Sequence, residues 1–169
     1  MSLAAGEPRA LAVLGQLIDL LVIVGGAAIV VLMFGNVLSR FIFNFDVAWT
    51  TELTGFLMIW ATFLGGAAAA RRGAHMRVGE LVGLTRGRTR RIAEILINLA
   101  VAAVLLQLVW YGGAIALGNM DQASSVLYYP MGLQYAALPV GAALALVYVA
   151  RDIAGFARGE PPHDTPIEI

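Results

Sequence analysis

Cysteine and lysine are both missing from this chain of 169 residues. Without cysteine there are no disulfides, no thiolate chemistry and no Cys-ligated metal sites. Histidine is almost as scarce: His75 falls in a connector and His163 in a polar tail, and neither has a companion ligand nearby in sequence. No metal is therefore expected, and a haem held by a histidine pair within a bilayer has no ligands here. Charge is thin as well, at 13% of residues against about 25% in ordinary globular domains. The formal net charge is zero, so no bulk basic field invites nucleic acid. There is no Ser/His/Asp set and no Gly-rich loop ending in lysine. Neither an enzyme nor a cofactor is expected.

What remains is apolar: 60% of residues, with a mean hydropathy of +0.81. The organising stretch is Trp49–Arg77. Between Glu52 and Arg71 lie 18 uncharged residues, about the length that crosses a hydrocarbon core as a helix. Trp49 suits one headgroup boundary, and Arg71 and Arg72 suit the cytoplasmic one. Three more spans fit around it. The first runs within an apolar stretch from Ala10 to Phe45, with Leu20–Leu38 as its core. It is too long for the apolar region of a secretory signal, and no small-residue cleavage site follows before Arg40. The third is Ile92–Leu117 and the fourth about Met131–Ala150, closed by Arg151. Pro139 within the fourth removes a backbone donor and predicts a kink.

The fold class expected is thus an all-α membrane protein with four transmembrane helices. Its parts are a cytoplasmic N-terminus at 1–10, a four-helix transmembrane domain at 11–156 and a disordered cytoplasmic tail at 157–169, rich in proline. On this reading ten arginines fall on one side and only Arg40 on the other. The positive-inside rule then puts both termini in the cytoplasm. The connector Arg71–Arg91 carries seven arginines against Glu80. Aliphatic residues recur within Ala74–Leu84 with partial helical spacing, which suggests a short interfacial helix, although Gly79, Gly83 and Gly87 also suit a plain loop.

Small-residue patches at Gly25, Gly26 and Ala28, and at Gly65, Gly66 and Ala69, allow close helix contact with a partner or within a bundle. Gln107 lies near the middle of the third span, where facing lipid is costly and a bundle-facing or partner-facing position is cheaper. The acids Asp19, Glu52 and Glu94 sit near span ends instead. Mid-bilayer polarity is too sparse for a charged substrate and a coupling ion, so a scaffold or accessory subunit is the better expectation. A self-assembling small carrier and an unrelated membrane scaffold are the alternatives.

The residues also resemble a known family, the small integral-membrane, DctQ-like subunit of tripartite ATP-independent periplasmic (TRAP) transporters. The resemblance runs from about Leu11 to Phe156. Its parts are Asn36–Arg40 with Phe43, Trp49–Glu52, Phe63–Gly66 with Arg71–Arg72–Gly73–Ala74–His75, and Tyr135–Gly141. The chain departs from the family at Thr51–Glu52, where two adjacent acids are usual, and at Met131–Gly132, where an aromatic residue often follows the proline. What the resemblance implies is a non-catalytic subunit in a bacterial inner membrane. It would pair with a large subunit that imports an organic anion, often a carboxylate, on a sodium gradient, and help dock a periplasmic solute-binding protein. It also implies that His75 fixes the end of span two by hydrogen bonding. Arg71, Arg72 and Arg77 would set orientation and meet lipid phosphate.

Overall fold

The computed structural model describes residues 9–71 and 88–158, and they are helical almost throughout. Helix α1 is Arg9–Phe43, α2 is Ala48–Arg71, α3 is Arg88–Gly118, α4 is Met131–Tyr135 and α5 is Ala137–Arg158. Four stretches are long and apolar enough to cross a membrane: Leu11–Phe43, Ala48–Arg71, Ile95–Gly118 and Met131–Gly155. The chain is a multi-span, all-α membrane protein. The Ala74–Leu84 segment, with Arg72, His75 and Arg77, lies outside the described residues.

Local chemistry sets the boundaries. At 35 residues α1 is about 52 Å long, more than a bilayer core requires. It stops at Asn44, whose φ of 50° is left-handed, a conformation asparagine tolerates better than most residues. The fourth span is interrupted at Ala136, although that residue keeps helical dihedrals (φ −62°, ψ −20°). Pro139 is the reason. It has no N–H to give the Tyr135 carbonyl, while the flanking bonds, Ala136 N–H to Gly132 O (2.8 Å) and Val140 N–H to Ala136 O (3.1 Å), are made. At this proline the helix loses one backbone hydrogen bond while Ala136 keeps helical dihedrals.

The helices do not close into a bundle. α1 packs on α2, α2 on α5, and α5 on α3, giving the spatial order α1–α2–α5–α3. Within an 18-residue apolar stretch of each span, only 6% of residues in α1 and 11% in α3 are buried, against 28% in α2 and 33% in the fourth span. These are the edges and the middle of a slab.

Small residues allow α2 its central place. Leu64 and Ala68 share a buried cluster with Ile18 of α1 and Tyr148 of α5, while Ala67 and Ala70 share one with Ala145 of α5. The GGAAAA run is therefore used on two sides at once, as successive residues 100° apart permit. Gly141 lets α5 approach α2: a Cβ there would stand 2.7 Å from the Phe63 Cβ and carbonyl oxygen. Gly112 does the same for α3, with the Pro139 ring and Leu138 at 3.1–3.2 Å from the added carbon.

Candidate functional site

The antiparallel helices bring the 44–47 and 119–130 connections to one end of the slab, and both are cinched by their own polar groups. The short one is held by Asn36, whose Oδ1 accepts from the Val47 N–H (3.1 Å), and by the Ser39 hydroxyl donating to the Phe45 carbonyl (3.1 Å). The Thr50 hydroxyl donates to the Val47 carbonyl at 2.5 Å, closing the start of α2.

The longer connection is organised by Glu52. Its Oε1 accepts from the Ser125 N–H (2.9 Å), and its Oε2 from the Val126 and Leu127 N–H groups (3.0 and 2.7 Å). Three successive amides aimed at one carboxylate form a backbone nest, an arrangement suited to an anion. The turn around it is closed by Ser124 and Tyr129. Ser124 N–H reaches the Tyr129 carbonyl (2.9 Å), and Tyr129 N–H reaches the Ser124 hydroxyl (3.3 Å). Tyr128 between them is left-handed at φ 56°, and its ring is exposed. The Tyr129 ring packs edge-on against Phe56 of α2 (5.2 Å), and its hydroxyl donates to Gln134 (2.7 Å). Burial, with the Glu52 carboxylate adding to it, pushes the Tyr129 phenol above its ordinary pKa. This end of the chain is thus a built surface. Around it, Arg40, Asp46 and Asp121 are exposed, as is Trp49 at the start of α2.

At the opposite end, Arg71 pairs with Asp19 of α1 at 3.3 Å, both side chains about a quarter exposed. Its guanidinium lies over Gly15, in the space a Cβ would take. Arg71 thus ties α1 to α2. The pairing is 52 residues apart and spacing gives no hint of it, although a helix-end acid and a helix-end base on antiparallel neighbours are the residues to try first.

The small-residue patches divide. Gly25, Gly26, Gly65 and Gly66 have nothing within 4 Å of a built Cβ, so no described neighbour fills the space beside them. Ala28 and Ala69 are half-buried. The close approaches are at Gly15, Gly112, Gly132 and Gly141 instead. Gly25 lines an apolar groove of about 430 Å³ between α1, α2 and α5. Gln107 is exposed on α3, and Pro139 is packed against Gly112. Among the described residues no group of three or more His, Cys, Asp or Glu side chains is placed to hold a metal ion.

The motif residues now have structural partners. Phe63 of α2 meets Gly141 of α5, Asn36 caps the 44–47 turn, and Glu52 holds the 124–129 turn. Comparison with known proteins agrees with where these motifs lie. The family described as tripartite ATP-independent periplasmic transporters, DctQ component, matches residues 29–159. A C4-dicarboxylate TRAP transporter small permease protein from Rhodobacter capsulatus is 33% identical over 122 residues, 70% of this chain and 53% of that protein. Its counterpart in Vibrio cholerae is 26% identical over 141 residues, 69% of this chain and 61% of that one. An ectoine TRAP transporter small permease protein from Halomonas elongata is 30% identical over 108 residues, covering 63% and 56%. The matches thus span between half and two thirds of these relatives' lengths.

Proposed function

The chain belongs to the DctQ component family of tripartite ATP-independent periplasmic transporters, and from that premise we propose that it is the non-catalytic small membrane subunit of such a system. It sits in the bacterial inner membrane, with both termini and the arginine-rich connector in the cytoplasm and the 44–47 and 119–130 connections facing the periplasm. Its partners are a larger membrane subunit and a periplasmic solute-binding protein. The larger subunit moves an organic anion, a carboxylate, on a sodium gradient. Two relatives are named for C4-dicarboxylates and one for ectoine, so family membership alone does not choose the cargo.

The observation that carries the scaffold reading is the open slab. A carrier that binds substrate and ion needs an enclosed site with polar groups near mid-bilayer. Here the four spans lie in a row, and the groove between α1, α2 and α5 is lined by no charged or amide side chain. Such a slab adds rigid width to a partner. The face held by Glu52, with exposed Arg40, Asp46 and Asp121 around it, is a preformed platform for a soluble protein.

Co-purification is the test. Tagged and extracted in mild detergent from its own host, the chain should bring down a much larger membrane protein. Host cells deleted for it should lose uptake of one solute class. Recovery of the chain without such a partner, together with normal uptake by the deleted cells, would refute the assignment.

A further inference from the structure

Helix α3 closes one edge of the slab, and its two sides differ in kind. Gly112 and Ala116 lie against the fourth span. At 100° per residue Gln107 stands about 140° round the helix from Gly112, on the side left exposed by the described residues. Trp110 and Tyr111 share that side and are 76% and 65% exposed. The depth is unusual for such groups. Gln107 is twelve residues after Ile95 and eleven before Gly118, at the middle of the span. Trp110 and Tyr111 follow it by three and four residues, about 5–6 Å further along the axis. Half the hydrocarbon core is about 15 Å, so all three lie within it. Tryptophan and tyrosine ordinarily collect at the headgroups. The Gln107 amide, the Trp110 indole N–H and the Tyr111 hydroxyl make no hydrogen bond with the described residues.

Acyl chains offer these groups nothing. A protein surface does, because amide side chains within a bilayer are satisfied by bonds across helices. We propose that this face of α3 seats a transmembrane helix of the larger membrane subunit. That helix carries a hydrogen-bonding side chain opposite Gln107 and small residues opposite Trp110 and Tyr111. The inference rests on the two-chain membrane assembly proposed above and names its contact face. A second copy of this chain fits less well. Around a two-fold axis through Gln107 parallel to the membrane normal, the bulky Trp110 and Tyr111 of both copies would meet at one depth and hold the amides apart. The groove between α1, α2 and α5 makes a smaller demand: its lining has no charged or amide side chain, and the donor it leaves without a partner among the described residues is the buried Trp60 indole N–H.

The test uses the intact complex in its host membrane, with a photo-crosslinking p-benzoylphenylalanine at position 104 or 111. Adducts should form with the larger subunit and map to one of its transmembrane helices. In parallel, Gln107→Leu should lower recovery of the larger subunit by about three- to tenfold, the range that interhelical hydrogen bonds in membranes support, while Gln107→Asn should retain part of it. Adducts only to lipid or to a second copy, or undiminished recovery with Gln107→Leu, overturn the inference. If the unmodified chain recovers no larger membrane protein at all, the assembly reading itself fails, and the two failures are told apart.

Discussion

Replacing Gly141 by alanine tests the packing on which the slab depends. The added carbon would lie 2.7 Å from the Phe63 Cβ and carbonyl oxygen and 2.9 Å from its carbonyl carbon. Ordinary carbon contacts are about 3.5–4.0 Å, so α2 and α5 must part by about 1 Å. Two of those three atoms are backbone and cannot rotate away. Overpacking of this kind typically costs about 1–3 kcal/mol. Alanine also gains about 1 kcal/mol over glycine in a helix interior, which offsets part of the loss. Gly113→Ala is the internal control, because it makes the same chemical change with nothing within 4 Å of the new carbon. The helix term cancels between the two variants, leaving Gly141→Ala less stable than Gly113→Ala by about 1–3 kcal/mol. Reversible unfolding of both in the same micelles by titration with a denaturing detergent measures that gap. Equal stability would mean that α2 and α5 do not meet at Phe63 and Gly141, and the order of helices would be wrong.

Glu52→Ala should expose the amides of Ser125, Val126 and Leu127 to hydrogen exchange while protection within α2 and α5 is kept; unchanged exchange at 125–127 would rule out the nest. Asp19→Arg or Arg71→Asp alone should loosen α1 from α2 by about 1 kcal/mol, and the double charge swap should recover most of it, read as protease resistance of α1 in micelles. The Tyr129 phenol is raised in the folded chain, so its contribution to stability is complete at neutral pH. That contribution is lost as pH climbs past the ordinary phenol pKa through the raised folded one; Tyr129→Phe should remove this alkaline step from a stability–pH profile. Single cysteines at positions 46, 87 and 121 test orientation with an impermeant reagent: 46 and 121 should label from the periplasm and 87 should not.

Hydropathy and arginine placement made the four spans legible, because each span must satisfy its backbone internally and so reads as one long apolar run. Pro139 also spoke plainly, since a missing N–H has one consequence. Which helix faces pair was not legible. Nearly every face of α1 and α2 is apolar or small, so no stripe distinguishes a neighbour from lipid. The patch at Gly65–Ala70 accordingly divided, with Ala67, Ala68 and Ala70 used inside the chain and Gly65 and Gly66 left open. The Glu52 nest was hidden for a different reason. It is made of backbone amides, which carry no sequence signature, and its turn places Tyr128 in a left-handed conformation where glycine or asparagine would have given it away. The Asp19–Arg71 pair spans 52 positions and becomes visible only once α1 and α2 are laid antiparallel.

The central claim is that this chain is a structural partner in transport and carries neither the substrate site nor the ion site. The most direct measurement is uptake into proteoliposomes under a sodium gradient. It compares the chain alone, the larger subunit with the solute-binding protein, and all three together. The account predicts no uptake by the chain alone, full uptake only with all three, and an unchanged ratio of sodium to solute when Gln107 is replaced by leucine in whatever complex still assembles. Solute accumulation by the chain alone, or a shifted ion ratio in the Gln107→Leu complex, would contradict it.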